Sequence, residues 1–411
     1  MSVEKKVPEI RFKGFSGEWD KYPLAKFISS LDAGVSVNSG DRPANQNEFG
    51  ILKTSCVTNG FFEPNENKVV FKTEEISRLK QPVLENTIII SRMNTPALVG
   101  ANAYVSRGYA NYFLPDRLWA AKPTSIGDLK FIAYILGSDK GRLALSNLAT
   151  GTSGSMKNIS KPAVLQLELR APKETEQTQI GSYFLKLDAL INQHQQKHAK
   201  LSSIKKAMLG KMFPKPGETI PEIRFKGFSR EWRTSELSNL ALFNPKSELP
   251  NFFKYVDLES VKGTSLIGYK FVSRNDAPSR AQRHAQKGDV FYQTVRPYQK
   301  NNYLFNSEEN DYVFSTGYAQ LRPYFNGYFL LNLVQRDSFV KNVLDSCTGT
   351  SYPAINASTL ATLEVSYPEC EMEQNQIGNF FQKLDMLINQ HHQQITKLNN
   401  IKQACLSKMF V

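Results

Sequence analysis

Cysteine is scarce in this chain and long apolar runs are missing. Four cysteines in 411 residues, Cys56, Cys347, Cys370 and Cys405, form no CxxC pair. Neither a disulfide framework nor a zinc knuckle is expected from them. Apolar stretches such as residues 87–90 are far too short to cross a bilayer, and the short polar segment 1–8 shows no signal peptide. The chain is therefore read as cytoplasmic, with no membrane association. Catalytic signatures are missing too. No GxxxxGK[ST] phosphate loop occurs, so ATP hydrolysis finds no support. GTSG at 151–154 lacks the GxSxG spacing of a nucleophile elbow. No Gly-rich FxGxG cofactor loop occurs, and no carboxylate pair followed by ExK stands out. NPK at 244–246 lacks the second proline and the aromatic of a [DNS]PP[YFW] tetrapeptide. His194 and His198 have the i, i+4 spacing of an HExxH helix, but no glutamate follows the first, and Ile395 stands at the second position in the repeat described below. No catalytic residue, no metal site and no cofactor on this chain are expected.

Acidic residues are the scarcer charged class, 38 against 51 Lys and Arg, for a net charge of +13. That balance favours a polyanionic partner. It is not spread evenly: residues 176–213 carry +4 and residues 373–410 carry +2, leaving +7 for the rest. At 41% hydrophobic and 22% charged, the composition is that of a folded globular chain of two or three domains.

What the chain has in quantity is itself, twice. PEIRFKGFSGEW at 8–19 returns as PEIRFKGFSREW at 221–232 with one mismatch. EQTQIGSYFLKLDALINQHQQKHAKLSSIKKAMLGKMF at 176–213 returns at 373–410 with 24 of 38 positions identical. Between these blocks lie two diverged stretches that keep weak landmarks in one order. TIIIS at 87–91 corresponds to GDVFYQ at 288–293, NYFLPDRLWAAKP at 111–123 to DYVFSTGYAQLRP at 311–323, and TGTSGSMKNIS at 150–160 to TGTSYPAINAS at 348–358. Pro214, Pro216 and Gly217 break the first repeated helix. The expected order is a first reader at 1–175, a helix at 176–213, a linker at 214–220, a second reader at 221–372 and a helix at 373–411.

In the first helix block Ile180, Phe184, Leu187, Ile191, His194, His198 and Leu201 recur at 4-3 spacing, and Ile204 and Met208 follow less regularly. The second repeats this at Ile377, Phe381, Leu384, Ile388, His391, Ile395, Leu398 and Ile401. Such a stripe is a coiled-coil seam. Each buried Leu or Ile contributes about 1.5–3 kcal/mol, so the stripes must be covered. The duplication predicts that they cover each other in an antiparallel pair.

The diverged readers supply the groups that phosphates and base edges need: Arg and Lys for charge, Arg, Asn, Gln and hydroxyls for hydrogen bonds. Candidates in the first are Asn38, Ser39, Arg42, Arg92, Asn94, Arg117, Thr152, Ser153, Ser155 and Lys157. In the second they are Arg274, Arg280, Arg283, Arg296, Gln299, Lys300, Asn301, Thr316, Tyr318, Thr350, Ser351 and Tyr352. VRPYQKNN at 295–302 is the densest cluster. Trp119 and the many Phe and Tyr residues are read as core.

The repeated EQxQIGxFFxKLDxLI…KMF block, with the PxIRFKGFxxEW start of each copy, resembles the specificity subunit of type I restriction-modification systems across essentially the whole chain. GDVFYQTVRP from Gly288 fits the family's strand-and-loop element; the first copy departs from it, with Glu85, Asn86 and Thr87 in place of Lys-Gly-Asp. The resemblance implies an α+β fold of two α/β target recognition domains joined by an antiparallel coiled coil. It implies that each domain reads one half of a bipartite, asymmetric site in double-stranded DNA. It implies, as partners, two modification (methyltransferase) subunits that bring S-adenosylmethionine and methylate adenine, and restriction subunits that use ATP with Mg. The chain itself would be non-catalytic.

Overall fold

The computed structural model describes residues 6–58, 60–151, 156–349 and 352–411. Its architecture is α+β, and the chain divides into two compact units that do not follow chain order. One comprises residues 1–194 with 394–411, the other residues 195–393. The two long helices, Glu174–Lys211 and Glu371–Lys408, each begin in one unit and end in the other. At 38 residues each is about 57 Å long. Each compact unit therefore holds a reader, the start of the helix that follows it in sequence, and the last turns of the other helix. Among the described residues no helix is long and apolar enough to cross a membrane.

The first reader is built on two four-stranded sheets. One has the order Asn102–Val105, Thr87–Ser91, Leu118–Pro123, Ile28–Ala33, all antiparallel. The other runs Asn67–Val70, Phe49–Leu52, Tyr109–Phe113, Pro82–Val83 and contains one parallel pair. Strand Thr87–Ser91 is buried along its whole length because both of its faces are covered. Successive side chains alternate: Ile88 and Ile90 enter the main core, and Ile89 enters a second one with Val57, Leu114 and Leu118.

The second reader repeats this plan by itself. Its sheets run Ala241–Phe243, Tyr318–Pro323, Val290–Gln293, Tyr303–Leu304 and Lys270–Ser273, Phe252–Val256, Tyr312–Ser315, Ala281–His284, the latter again with one parallel pair. Val290 and Tyr292 point into one core and Phe291 into the other. In each reader a short strand after the tryptophan pairs with the last strand before the long helix, Asp20–Pro23 with Glu168–Ala171 and Arg233–Glu236 with Glu364–Tyr367.

Four aromatic rings from four separate segments close the main core of each unit. In the first unit Phe410 lies 5.6 Å from both Phe131 and Phe184, and Trp19 lies 5.8 Å from Phe131. In the second, Phe213 lies 5.7 Å from Trp232 and from Phe329, and 6.2 Å from Phe381. The repeated tryptophan and the repeated KMF are thus partners in one cluster. A backbone bond holds each junction: Ile10 N donates to Lys408 O at 3.1 Å, and Ile223 N to Lys211 O at 2.9 Å.

The other repeated residues have equally local reasons. Arg11 makes a bidentate pair with Glu176 at 2.7 and 2.6 Å, and Arg224 does so with Glu373 at 2.6 and 2.8 Å. Both glutamates are buried, a burial that only such pairing makes tolerable. Gln177 Nε2 and Gln374 Nε2 donate to Pro172 O and Pro368 O at the helix starts. Gly181 lets the first long helix approach the start of helix Leu129–Gly137, where an added Cβ would stand 2.7 Å from Phe131 N.

Within the first unit the two helix segments run antiparallel: Tyr183 meets Cys405 and Asp188 meets Lys402. Ile180, Phe184, Leu187 and Ile191 are buried there, and Ile395 and Leu398 are half-buried. Within the second, Lys205 meets Asp385 and the His198 ring lies 6.0 Å from His392, again antiparallel. Ile377, Phe381 and Leu384 are buried in that unit, with Leu201 and Ile388 half-buried.

Candidate nucleic-acid interface

Three segments converge in each reader: the exit of the buried strand, the residues just before strand Leu118–Pro123 or Tyr318–Pro323, and the described residues that follow TGTS in sequence. In the first, Met93–Asn94 pairs with Lys157–Asn158, and Arg92 N donates to Arg117 O at 3.0 Å. In the second, Val295 bridges Ala354, Arg296 N donates to Pro353 O at 2.8 Å, and Thr294 N donates to Gly317 O at 3.0 Å. So Arg92, Arg117 and Lys157 are brought together on one rim, as are Arg296, Thr316 and Tyr352 on the other.

The side chains on these rims differ. The Arg92 guanidinium sits 5.9 Å from the Trp119 ring, while Arg117 is exposed and Lys157 Nζ donates to Gly151 O at 2.8 Å. The Arg296 guanidinium covers the exposed Tyr352 ring at 4.6 Å, a cation–π contact on a solvated surface. Arg296 and Lys300 both take left-handed backbone conformations with φ of 54°, sparsely populated for side-chain-bearing residues. Pro297 and the bond to Pro353 hold the turn between them in place. Gln299 Oε1 accepts from Gln293 and Asn301 Oδ1 accepts from Gly263 N, so these two amides shape the loop as well as edging it.

Other candidates lie on or beside the second sheets. Asn38 Nδ2 donates to Glu75, next to Ser39, and Arg42 forks onto Glu48 at 2.7 and 2.6 Å. That pairing holds the Glu48 carboxyl at about 2, against its ordinary 4.5. Arg274 and Arg280 are exposed; Arg283 is half-buried, and burial pushes its guanidinium down. Thr152, Ser153, Ser155, Thr350 and Ser351 lie outside the described residues.

Two expected contacts are corrected. Tyr318 is fully buried among Phe291 and Phe314, because its strand, Tyr318–Pro323, has both faces covered at that end. Asn94 is buried too, its amide joined to Ser91 Oγ and Thr95 N. Lys300 turns toward the start of helix Asp337–Asp345, where it pairs with Asp337. Sequence reasoning missed Arg336, whose guanidinium lies over Phe213 at 5.2 Å. Its position in the chain has serine in the first copy, so the repeat gave no signal for it.

With this geometry in view, residues 209–400 match the family model described as the type I restriction modification DNA specificity domain. That match covers a little under half of the chain. Among curated proteins, the type I restriction enzyme HindI specificity subunit of Haemophilus influenzae is 26% identical over 193 residues, which cover 45% of this chain and 39% of that protein. The matched part thus spans about two fifths of that relative's length. Among solved structures, the S subunit of a type I restriction-modification system from M. genitalium superposes with a TM-score of 0.66, covering 98% of this chain and 99% of that one at 17% identity. That likeness is one of fold. It covers the first reader as well as the second.

Proposed function

We propose that this chain reads a bipartite, asymmetric site in double-stranded DNA for a type I restriction-modification complex, each reader addressing one half. The observation that carries this is the pair of rims. The same three segments meet in both readers, but Arg92, Arg117 and Lys157 stand on one and Arg296, Thr316 and Tyr352 on the other. A shared scaffold with unlike polar edges is what two different half-sites require.

The long helices then act as the spacer. About 57 Å of helix exceeds one DNA turn of about 34–36 Å. Their polar faces are the surface offered to two modification subunits, which supply S-adenosylmethionine and the pocket for a flipped adenine. ATP with Mg belongs to the restriction subunits. The chain contributes recognition and no catalysis, in the cytoplasm.

Mapping methylated adenine in cells with and without the gene tests this. A split motif with a fixed gap that vanishes with the gene is the expected result. Purified chain methylating DNA with S-adenosylmethionine alone would refute the non-catalytic reading. Binding by the complex should fall about 10³–10⁵-fold between 50 and 200 mM salt if six to ten phosphates are contacted.

A further inference from the structure

In the second unit a recess of about 710 Å³ opens between the end of the first long helix, the start of helix Asp337–Asp345 and the middle of the second long helix. Its lining is basic. Lys205, Lys206, Lys215, Lys300 and Arg336 face it, against two carboxylates, Asp337 and Asp385. Both carboxylates are already matched, Asp385 with Lys205 at 2.6 Å and Asp337 with Lys300. Lys215 reaches Glu222 at 3.5 Å.

Arg336 is the decisive group. It has no carboxylate partner among the described residues: one amino group donates to Pro214 O at 3.1 Å and Ser338 Oγ at 2.9 Å, and its plane rests on Phe213. Burial lowers its pKa to about 10. Arg336 is half-buried; a partly desolvated guanidinium without a counter-charge carries a cost, and its fork geometry matches phosphate oxygens. Arg336 is also the N-cap of helix Asp337–Asp345 and provides no side-chain cap, so the amides of the first turn remain open to an acceptor from outside the helix.

The first unit supplies the contrast. There Ser138 takes the place of Arg336 and its hydroxyl caps helix Asp139–Asn147 by accepting from Gly141 N. Gln403 takes the place of Lys206 in the repeated block. The equivalent recess of the first unit keeps other cations, Lys140, Arg142 and Lys402, but has neither this arginine nor this lysine, and the first turn of its helix is capped.

We propose that this recess binds a phosphate-bearing anion, one per chain, through Arg336, Lys206 and Lys300 with the amides at the start of helix Asp337–Asp345. Its source is either a nucleotide or the DNA backbone. The inference goes beyond the DNA-reading proposal, since a free polyphosphate needs no DNA to bind.

The test is calorimetric titration of the full chain with inorganic pyrophosphate, ATP and citrate. One pyrophosphate per chain is expected. Lys206→Gln, an exposed change, should weaken it several-fold, and Arg336→Ser with Lys206→Gln, which copies the first unit, should weaken it at least ten-fold. Tighter binding of ATP than of pyrophosphate assigns the site to a nucleotide. A DNA-binding salt slope that falls by about one in the double variant assigns it to a backbone phosphate. No binding of pyrophosphate, binding unchanged in both variants, two sites per chain, or citrate binding as tightly as pyrophosphate would each overturn the proposal.

Discussion

Lys205 and Asp385, 180 positions apart, are joined by an ion pair of 2.6 Å in the second unit. The same two positions of the repeat meet in the first unit as Lys402 and Asp188, also at 2.6 Å. Each pair joins the late part of one long helix to the early part of the other, so it reports antiparallel packing within its own unit. Lys205→Met should destabilise the chain by about 1.5–3 kcal/mol, the range for a hydrogen bond to a charged group. The exchange Lys205→Asp with Asp385→Lys should recover part of that loss in a double-mutant cycle. Purely additive losses by denaturant melting would show that the contact contributes nothing.

Glu373 is 1% exposed and accepts from Arg224 and from Trp232 Nε1. Glu373→Gln leaves the guanidinium buried without its counter-charge, and a broken buried pair costs about 3–5 kcal/mol. The expected outcome is a lower Tm. Arg224→Lys in the chain that retains Glu373 should also lower the Tm, because an ammonium cannot make the bidentate contact.

Phe410 belongs to the core of the first reader although it stands in the last helix block. Phe410→Ala should cost about 3–5 kcal/mol. Hydrogen exchange should quicken in strand Thr87–Ser91 and helix Leu129–Gly137, whose residues share that core. Exchange that rises only in residues 394–411 would contradict the shared cluster.

The Arg42–Glu48 pair has a defined pH signature. The folded Glu48 carboxyl is depressed to about 2 from an ordinary 4.5. Its contribution is thus complete above about pH 4.5 and fades as pH falls through about 2. A carboxyl titration by NMR should find its midpoint near 2 in the native chain. In Arg42→Ala it should return toward 4.5.

How much of this could be read from residues alone depended on identity between the copies. The duplication, the two long helices and their seam were visible because residues 176–213 and 373–410 agree so closely. The shared reader scaffold was visible only as landmarks in order, such as residues 87–91 against 288–293. What stayed hidden was partnership. Nothing in the string KMF says that Phe410 closes a core with Trp19 and Phe131, or that Arg11 belongs to Glu176, because those contacts join segments more than a hundred residues apart. Tyr318 was misplaced for a related reason. A strand covered on both faces has no polar–apolar alternation to expose which side chains are inside. Arg336 was invisible since it departs from the repeat instead of conforming to it.

The claim that two unlike readers address separate half-sites is tested most directly by exchanging residues 20–170 for the corresponding segment of another specificity subunit and sequencing the methylated adenines in cells carrying the hybrid. One half of the split motif should change, with the other half and the gap between them retained. A motif altered in both halves, or not altered at all, would contradict independent reading by the two units.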